Sequence, residues 1–290
     1  MNAAALRSAP DTPAVPDAAA RRLGRAAVAA LHDELALAGK PGLVSFEDSG
    51  SHRDMDASTF VRSLFALRHS YPRFAALGAQ GADFAALADE GQGAEACMLA
   101  ATGGINTHRG AIFTLGLLCA SAGALLAAGA PLQAAALRHT LTARWGRSLA
   151  ARGGAAAASH GAQLVRAHGL RGANAEAAAG MPVLFETTLP ALRAALARGL
   201  PAPSAQLQAC FATLAVLDDT NLAHRGGLAG LRWAQGQAQA WLQAGGADAP
   251  DALTRAYRVH RDFVARRLSP GGVADVLAAA CWLQRVCEPG

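Results

Sequence analysis

"AIFTLGLLCASAGALLAAGAP", residues 111–131, contains no charged side chain. An uncharged run of about twenty residues is long enough to cross a bilayer as a helix. Its composition argues for a different setting. The run is mostly Ala, Gly and Ser, and no second segment of the chain resembles it. A helix that is apolar all round also suits the centre of a large helical domain. The stretch therefore reads as a buried central helix, and the fold as all-α.

The flanking sequence agrees. Val28, Leu31, Leu35 and Ala38 recur at helical spacing, as do Phe60, Leu64 and Leu67. Val273, Val276, Ala280, Leu283 and Cys287 form a further stripe near the C-terminus. Good helix formers fill the positions between. Breakers such as "GKPG", "SGSH", "ATGG", "ARGG" and "SPGG" cut the chain into about ten helices. "LVSF" and "PVLF" are the only short strand candidates, and both lie in loops rich in Gly or Pro. No fixed-period repeat and no long linker divides the chain. One all-helical globular domain over residues 18–290 is expected, after a disordered leader over 1–17 whose Pro and Asp do not suit a signal peptide.

Composition narrows the function classes. The chain is 52% hydrophobic but 5% aromatic, so the core is built from Ala, Leu and Val. The formal charge is +5 and Lys40 is the only lysine. Basic residues are scattered, which argues against a nucleic-acid surface but leaves small anionic partners open. Cys97, Cys119, Cys210, Cys281 and Cys287 show no C-x-x-C spacing. They read as reduced cysteines of a cytoplasmic protein.

Polar residues collect at four helix boundaries. These are "KPGLVSFEDSGSHRDMD" (40–56), "ATGGINTHRGA" (101–111), "GLRGANAEAAAGMP" (169–182) and "LDDTNLAHRGG" (217–227). In the second, Gly104 lets backbone approach a ligand closely. Asn106 or Thr107 can cap the apolar helix, and His108 and Arg109 fall in its first turn. Cations there oppose the helix dipole, whereas an anion would be welcomed by the free N–H groups. The segment reads as a phosphate site. In the first stretch, Asp54 and Asp56 can reach one hard cation, with Asp218 and Asp219 supplying the opposite half. Magnesium, which accompanies phosphates, suits such oxygens. The alternative for each acid is an ordinary helix N-cap.

Other chemistries fit poorly. Glu34 and Pro41 stand where a P-loop around Lys40 would need Gly and Ser or Thr. There is no G-x-S-x-G elbow and no H-E-x-x-H. His32 and Asp33 form a His-Asp pair, but in an ordinary amphipathic pattern.

Together, "KPGLVSFEDSGSHRDMD", "ATGGINTHRGAIFTLGLL", "EAAAGMP" and "DDTNLAHRGG" resemble the triphosphoribosyl-dephospho-CoA synthase family, from about residue 25 to residue 285. The resemblance implies an all-helical enzyme that joins ATP to 3'-dephospho-CoA and releases adenine. The product is the precursor of a prosthetic group, which a separate transferase attaches to an acyl-carrier protein. "LVSFEDSGSH" looks more like the branch serving malonate decarboxylase than the one serving citrate lyase. Two departures stand out: Asn174 precedes Ala175 and Glu176 where an Arg is expected nearby, with Arg171 further upstream, and Met181 replaces a usual Phe.

The implied reaction passes through an oxocarbenium-like transition state, as in glycoside chemistry. It needs acid–base groups and neutralisation of the triphosphate. The resemblance makes His52, Asp54, Asp56 and Glu176 the catalytic candidates. Lys40, Arg53, Gly104, Asn106, Thr107, His108, Arg109, Asn221 and Arg225 would bind substrate or phosphate. Asp54, Asp56, Asp218 and Asp219 would hold magnesium. A metal-dependent hydrolase of nucleotides or ADP-ribosyl groups, and a non-catalytic nucleotide-binding protein, are the competing readings.

Overall fold

The computed structural model describes residues 17–155 and 169–287. The described residues are helical, with no strand. The helices are α1 (Asp17–Ala36), α2 (Ala57–Leu67), α3 (Ser70–Ala79), α4 (Phe84–Thr102), α5 (Arg109–Ala127) and α6 (Ala134–Ala155). After residue 168 follow α7 (Ala173–Ala178), α8 (Leu189–Ala197), α9 (Ala202–Leu214), α10 (Thr220–Gln243), α11 (Ala252–Ala265) and α12 (Gly271–Val286). Residues 1–16 of the expected leader lie outside the described residues, and Asp17 already belongs to α1. "LVSF" is loop, while the other strand candidate leads into a π-helical turn over Val183–Thr188.

The central helix is where the sequence places it. α5 is surrounded by α3, α4, α6 and α12, and residues Leu115–Ala124 are buried on every side. It is the one described helix long and apolar enough to span a membrane, and 67% of its apolar window is buried inside the fold. Its glycines have a packing reason. A Cβ on Gly123 would meet the carbonyl oxygen of Ala75 at 1.9 Å, and a Cβ on Gly78 would meet that of Ala120 at 1.9 Å. α3 and α5 thus touch backbone to backbone, closer than side chains would allow.

The charged stretch 40–56 is a loop strapped to α11 and to the turn after it. His260 is hydrogen-bonded through Nδ1 to the Lys40 carbonyl (2.6 Å) and pairs through Nε2 with Asp48 (3.1 Å). Ser51 donates to the Leu268 carbonyl at 2.5 Å. Gly42 sits at φ 65°, where a Cβ would run into the Leu268 carbonyl at 2.1 Å. Much of the polarity of this stretch therefore holds the loop in place. The strap fixes where the chain enters α2, and with it one wall of the cavity described next.

Candidate active site

A cavity of about 800 Å³ opens where several helix starts meet. It lies toward the upper end of the range for small-molecule sites, roughly 300–1,000 Å³. Its lining includes Asn106, Thr107, His108, Arg109 and Gly110 at the start of α5, and Ser269, Gly271, Gly272 and Asp275 around the start of α12. Thr220, Asn221 and Arg225 come from the first turns of α10, and His52 from the strapped loop. A smaller cavity of about 90 Å³ adjoins it, lined by Phe113, Met181, Leu184, Arg171, Glu176, Asp218 and Asp219 among others. Gly110, Thr220, Gly272 and Asp275 border both.

The starts of α5, α10 and α12 can converge because glycines keep them slim. A Cβ on Gly110 would meet Asp275 Oδ2 at 1.9 Å, and one on Gly271 would meet Asn221 Nδ2 at 2.7 Å. Helix starts present unpaired N–H groups and partial positive charge. Side chains have already taken part of that capacity: Asn106 and Asp275 accept the Arg109 and Ala111 N–H groups of α5, and Asp219 accepts those of Gly272 and Val273 in α12.

The site contains polar atoms that the protein leaves unsatisfied. Thr107 Oγ1 and His108 Nε2 are both buried and have no hydrogen-bond partner among the described residues. Such atoms cost free energy unless something else binds them. His108 is not the cation expected from the sequence. It is 3% exposed, its ring lies edge-on to Phe60, and Nδ1 is 2.6 Å from Ser63 Oγ. Burial, with the Lys40 ammonium adding to it, pushes its pKa down to about 3. It meets a ligand as a neutral imidazole. Arg109 is exposed and paired with Glu95 across the cavity edge (Nε to Oε1, 2.7 Å), while Asn106 accepts the Arg109 N–H at 3.1 Å.

Lys40 is not at the cavity surface. It is 1% exposed and donates to Glu34 Oε1 at 2.6 Å and to the Glu34 carbonyl. Glu34 itself lines the large cavity. The only lysine is therefore a buried counter-ion, not a phosphate ligand. Gly104 and its neighbour Gly103 end α4 in left-handed conformation, with the Gly104 N–H on the Leu99 carbonyl at 2.8 Å. Gly104 lines neither cavity, and nor does the exposed Arg53.

The four aspartates behave mainly as structural acids. Asp56 is the N-cap of α2 in a reciprocal capping box with Thr59. The Thr59 N–H and the hydroxyls of Ser58 and Thr59 hold its pKa at about 2. Asp219 is the buried N-cap of α10, accepting from Asn221 (2.8 Å), Leu222 (3.1 Å) and, across to α12, Val273 (3.0 Å). Burial pushes its carboxyl up against the pull of these N–H groups. Asp218 accepts the Arg171 N–H at 3.1 Å, and Asp54 is exposed, 3.6 Å from His52. Asp54 and Asp56 line neither cavity, whereas Asp218 and Asp219 line the smaller one. The expected four-carboxylate cluster is not formed. Short acids at helix starts satisfy backbone donors first.

Two further catalytic candidates are occupied as well. Glu176 accepts the Val183 N–H at 2.7 Å and pairs with Arg171 at 3.4 Å. It anchors the turn around Met181, whose φ of 51° is unusual for a residue with a side chain. Arg225 lies 3.2 Å from His52 Nδ1, and His52 Nε2 lies 2.9 Å from Ser269 Oγ. Arginine can only donate, so Nδ1 accepts and Nε2–H donates to the serine. Burial, then Arg225, lowers the His52 pKa, which keeps it in this neutral form. Arg225 also donates to the carbonyls of Ser51 and Arg267, tying the strapped loop to α10.

An anion-ready cavity of this size, built on glycine-slimmed helix starts, fits a nucleotide enzyme. The family model for CitG, ATP:dephospho-CoA triphosphoribosyl transferase, matches residues 20–290. The chain belongs to this family. It is accordingly a pentosyltransferase whose substrates are ATP and dephospho-CoA. No solved structure matches the chain.

Within this triphosphoribosyl transferase, seven of the site residues expected from the sequence line the large cavity: His52, Asn106, Thr107, His108, Arg109, Asn221 and Arg225. Asp275, which the sequence did not single out, lines it as well. Asp275 sits in an ordinary-looking apolar stripe, "GGVADVLAAA", just past the first turn of its helix, where a lone Asp reads as an exposed surface residue. Its only available signal was a charge inside an otherwise apolar face.

The magnesium cage of four aspartates expected from the sequence is not formed among the described residues. No group of three or more His, Cys, Asp or Glu side chains among the described residues is arranged to hold a metal ion. Of the four acids expected to form one, Asp56 and Asp219 are spent on helix caps, Asp218 on the Arg171 N–H, and Asp54 is exposed. Magnesium keeps several waters and takes few protein ligands when phosphates supply the rest. The residues here do not build a cage for it.

Proposed function

We propose that the large cavity is where the transferase holds ATP and dephospho-CoA, with the triphosphate against the starts of α5 and α12. One observation carries this assignment. Thr107 Oγ1 and His108 Nε2 are buried and unpartnered, and they belong to residues that line this cavity at the start of α5. Phosphate oxygens would accept from both groups at the positive end of that helix. Arg109 and Arg225 add positive charge at the rim. Neutral His108 donates through Nε2 when Ser63 donates to its Nδ1.

The reaction breaks the bond between the ribose anomeric carbon of ATP and adenine. A ribose hydroxyl of dephospho-CoA takes adenine's place. The protein supplies positioning, charge neutralisation and exclusion of water. Incubation of the purified chain with ATP and dephospho-CoA tests this: adenine should appear only when both are present. Adenine, phosphate or ADP-ribose released without dephospho-CoA would instead establish a hydrolase. Arg109→Ala combined with Thr107→Val should raise the KM for ATP by tenfold or more; an unchanged KM would move the triphosphate elsewhere.

The physiological role we propose is the malonate decarboxylase branch, in the cytoplasm, where the product serves an acyl-carrier protein through a separate prosthetic-group transferase. The support is the run Ser45–His52, "SFEDSGSH". Deleting the gene in its host should abolish growth on malonate and spare growth on citrate; the reverse would assign the citrate lyase branch.

A further inference from the structure

Six carboxylates line the two cavities, and five are already committed. Glu34 is held by Lys40, Glu95 by Arg109, Glu176 by Arg171 and the Val183 N–H, Asp218 by the Arg171 N–H, and Asp219 by backbone donors. Asp275 is different. It has no ion pair and no side-chain hydrogen bond among the described residues, and its one polar contact is the Ala111 N–H of α5. It borders both cavities. Gly110 leaves the room its carboxyl occupies, since a Cβ there would lie 1.9 Å from Oδ2.

We infer that Asp275 is the proton-transfer residue of the reaction: its carboxyl gives a proton to a ring nitrogen of the departing adenine, and the carboxylate so formed takes the proton of the attacking ribose hydroxyl. The inference rests on the large cavity being the nucleotide site. As the bond from the anomeric carbon to adenine breaks, its electron pair goes to the base, and the proton from Asp275 neutralises it. The hydroxyl oxygen of dephospho-CoA bonds to the same carbon. Its proton returns to Asp275, so the net change moves one proton from hydroxyl to adenine and leaves the enzyme unchanged. The carboxylate present between these events also faces the positive charge that develops on the sugar.

The surroundings suit this role. Burial pushes the Asp275 carboxyl well above the usual carboxylate range, and Asp219 from α10 and Glu34 from α1 push it further; the Ala111 N–H pulls the other way. Tyr71 from α3 is the other titratable group that senses it. A carboxyl that holds its proton more tightly than usual suits donation to a leaving base.

The test compares two leaving groups in the full-length enzyme. Adenine needs a proton to leave; the p-nitrophenolate of a p-nitrophenyl riboside 5-triphosphate does not. Asp275→Asn is expected to lower adenine release by about 10²–10⁴-fold. Its loss with the nitrophenyl substrate should be at least tenfold smaller. ATP binding by calorimetry should persist, and Tm should hold or rise, since folding no longer has to protonate a buried carboxyl. Near-normal turnover of ATP, or equal losses on both substrates, overturns the assignment. Should that variant not fold, Gly110→Ala, which displaces the carboxyl, must show the same selective loss; equal losses again overturn it. Wild-type enzyme that releases no adenine in the presence of dephospho-CoA would sink the reading of the site itself, which is a separate outcome.

Discussion

Lys40 and Glu34 form a buried ion pair beneath the large cavity, 2.6 Å apart and each almost fully withdrawn from solvent. Removing one partner leaves an uncompensated charge in the interior. Lys40→Met is expected to cost about 3–5 kcal/mol of stability. The double variant Lys40→Met, Glu34→Gln should recover much of that loss. Chemical denaturation measures both. A single variant of wild-type stability with weakened ATP binding would return Lys40 to the role of phosphate ligand.

His108 makes the fold sensitive to acid. Its folded pKa of about 3 lies below its unfolded value of 6.5. The contribution is therefore fully present above about pH 6.5 and is lost as pH falls from there through 3. His108→Asn, which keeps a partner for Ser63, should flatten the stability curve over that window relative to wild type. Parallel curves would show that His108 is already charged in the folded protein.

The two aspartates of the strapped loop should separate cleanly. Asp56→Ala removes the capping box of α2 and should lower Tm without abolishing turnover. Its pKa is depressed to about 2, so its contribution is present above the unfolded value of 3.8 and lost as pH falls through 2. Asp54→Ala should leave Tm unchanged. A large loss of rate with Asp54→Ala at wild-type affinity for both substrates would restore the catalytic role that the sequence suggested.

Gly78 tests the central contact. Even one methyl group there meets the Ala120 carbonyl at 1.9 Å, and the neighbour is backbone, which cannot swing aside. Gly78→Ala should cost about 1–3 kcal/mol or more through overpacking, although alanine is the better helix former. Gly93, an internal helical glycine with open space around it, is the control. Gly93→Ala should be neutral or stabilising.

The fold was legible because its signals are local. An uncharged apolar run, helical spacing and Gly or Pro punctuation all act within a few residues. The cavity was half legible, since the polar motifs at helix starts do converge on it. What one strand of sequence could not show was which acids the backbone had already claimed. Asp56 and Asp219 look alike to a metal and to a helix N-terminus, and only the third dimension decides between them. Lys40 misled for the same reason, because Glu34 lies six positions earlier and the pairing needs the turn between them. Asp275 went unnoticed because its significance comes from Gly110, 165 positions away (275 − 110).

The backbone contact between α3 and α5 also sets a reference point for chemistry. Interlocked glycines fix α5 along its own axis, so it has no neighbouring register to slide into. A slip of one residue would rotate its first turn by about 100° and advance it by about 1.5 Å. His108 would then aim at a different wall. The helix thus works like a keyed shaft, with its far end locked in the core and its near end presenting Thr107, His108 and Gly110 at one angle. Any adjustment to a substrate has to come from the strapped loop and the cavity rim.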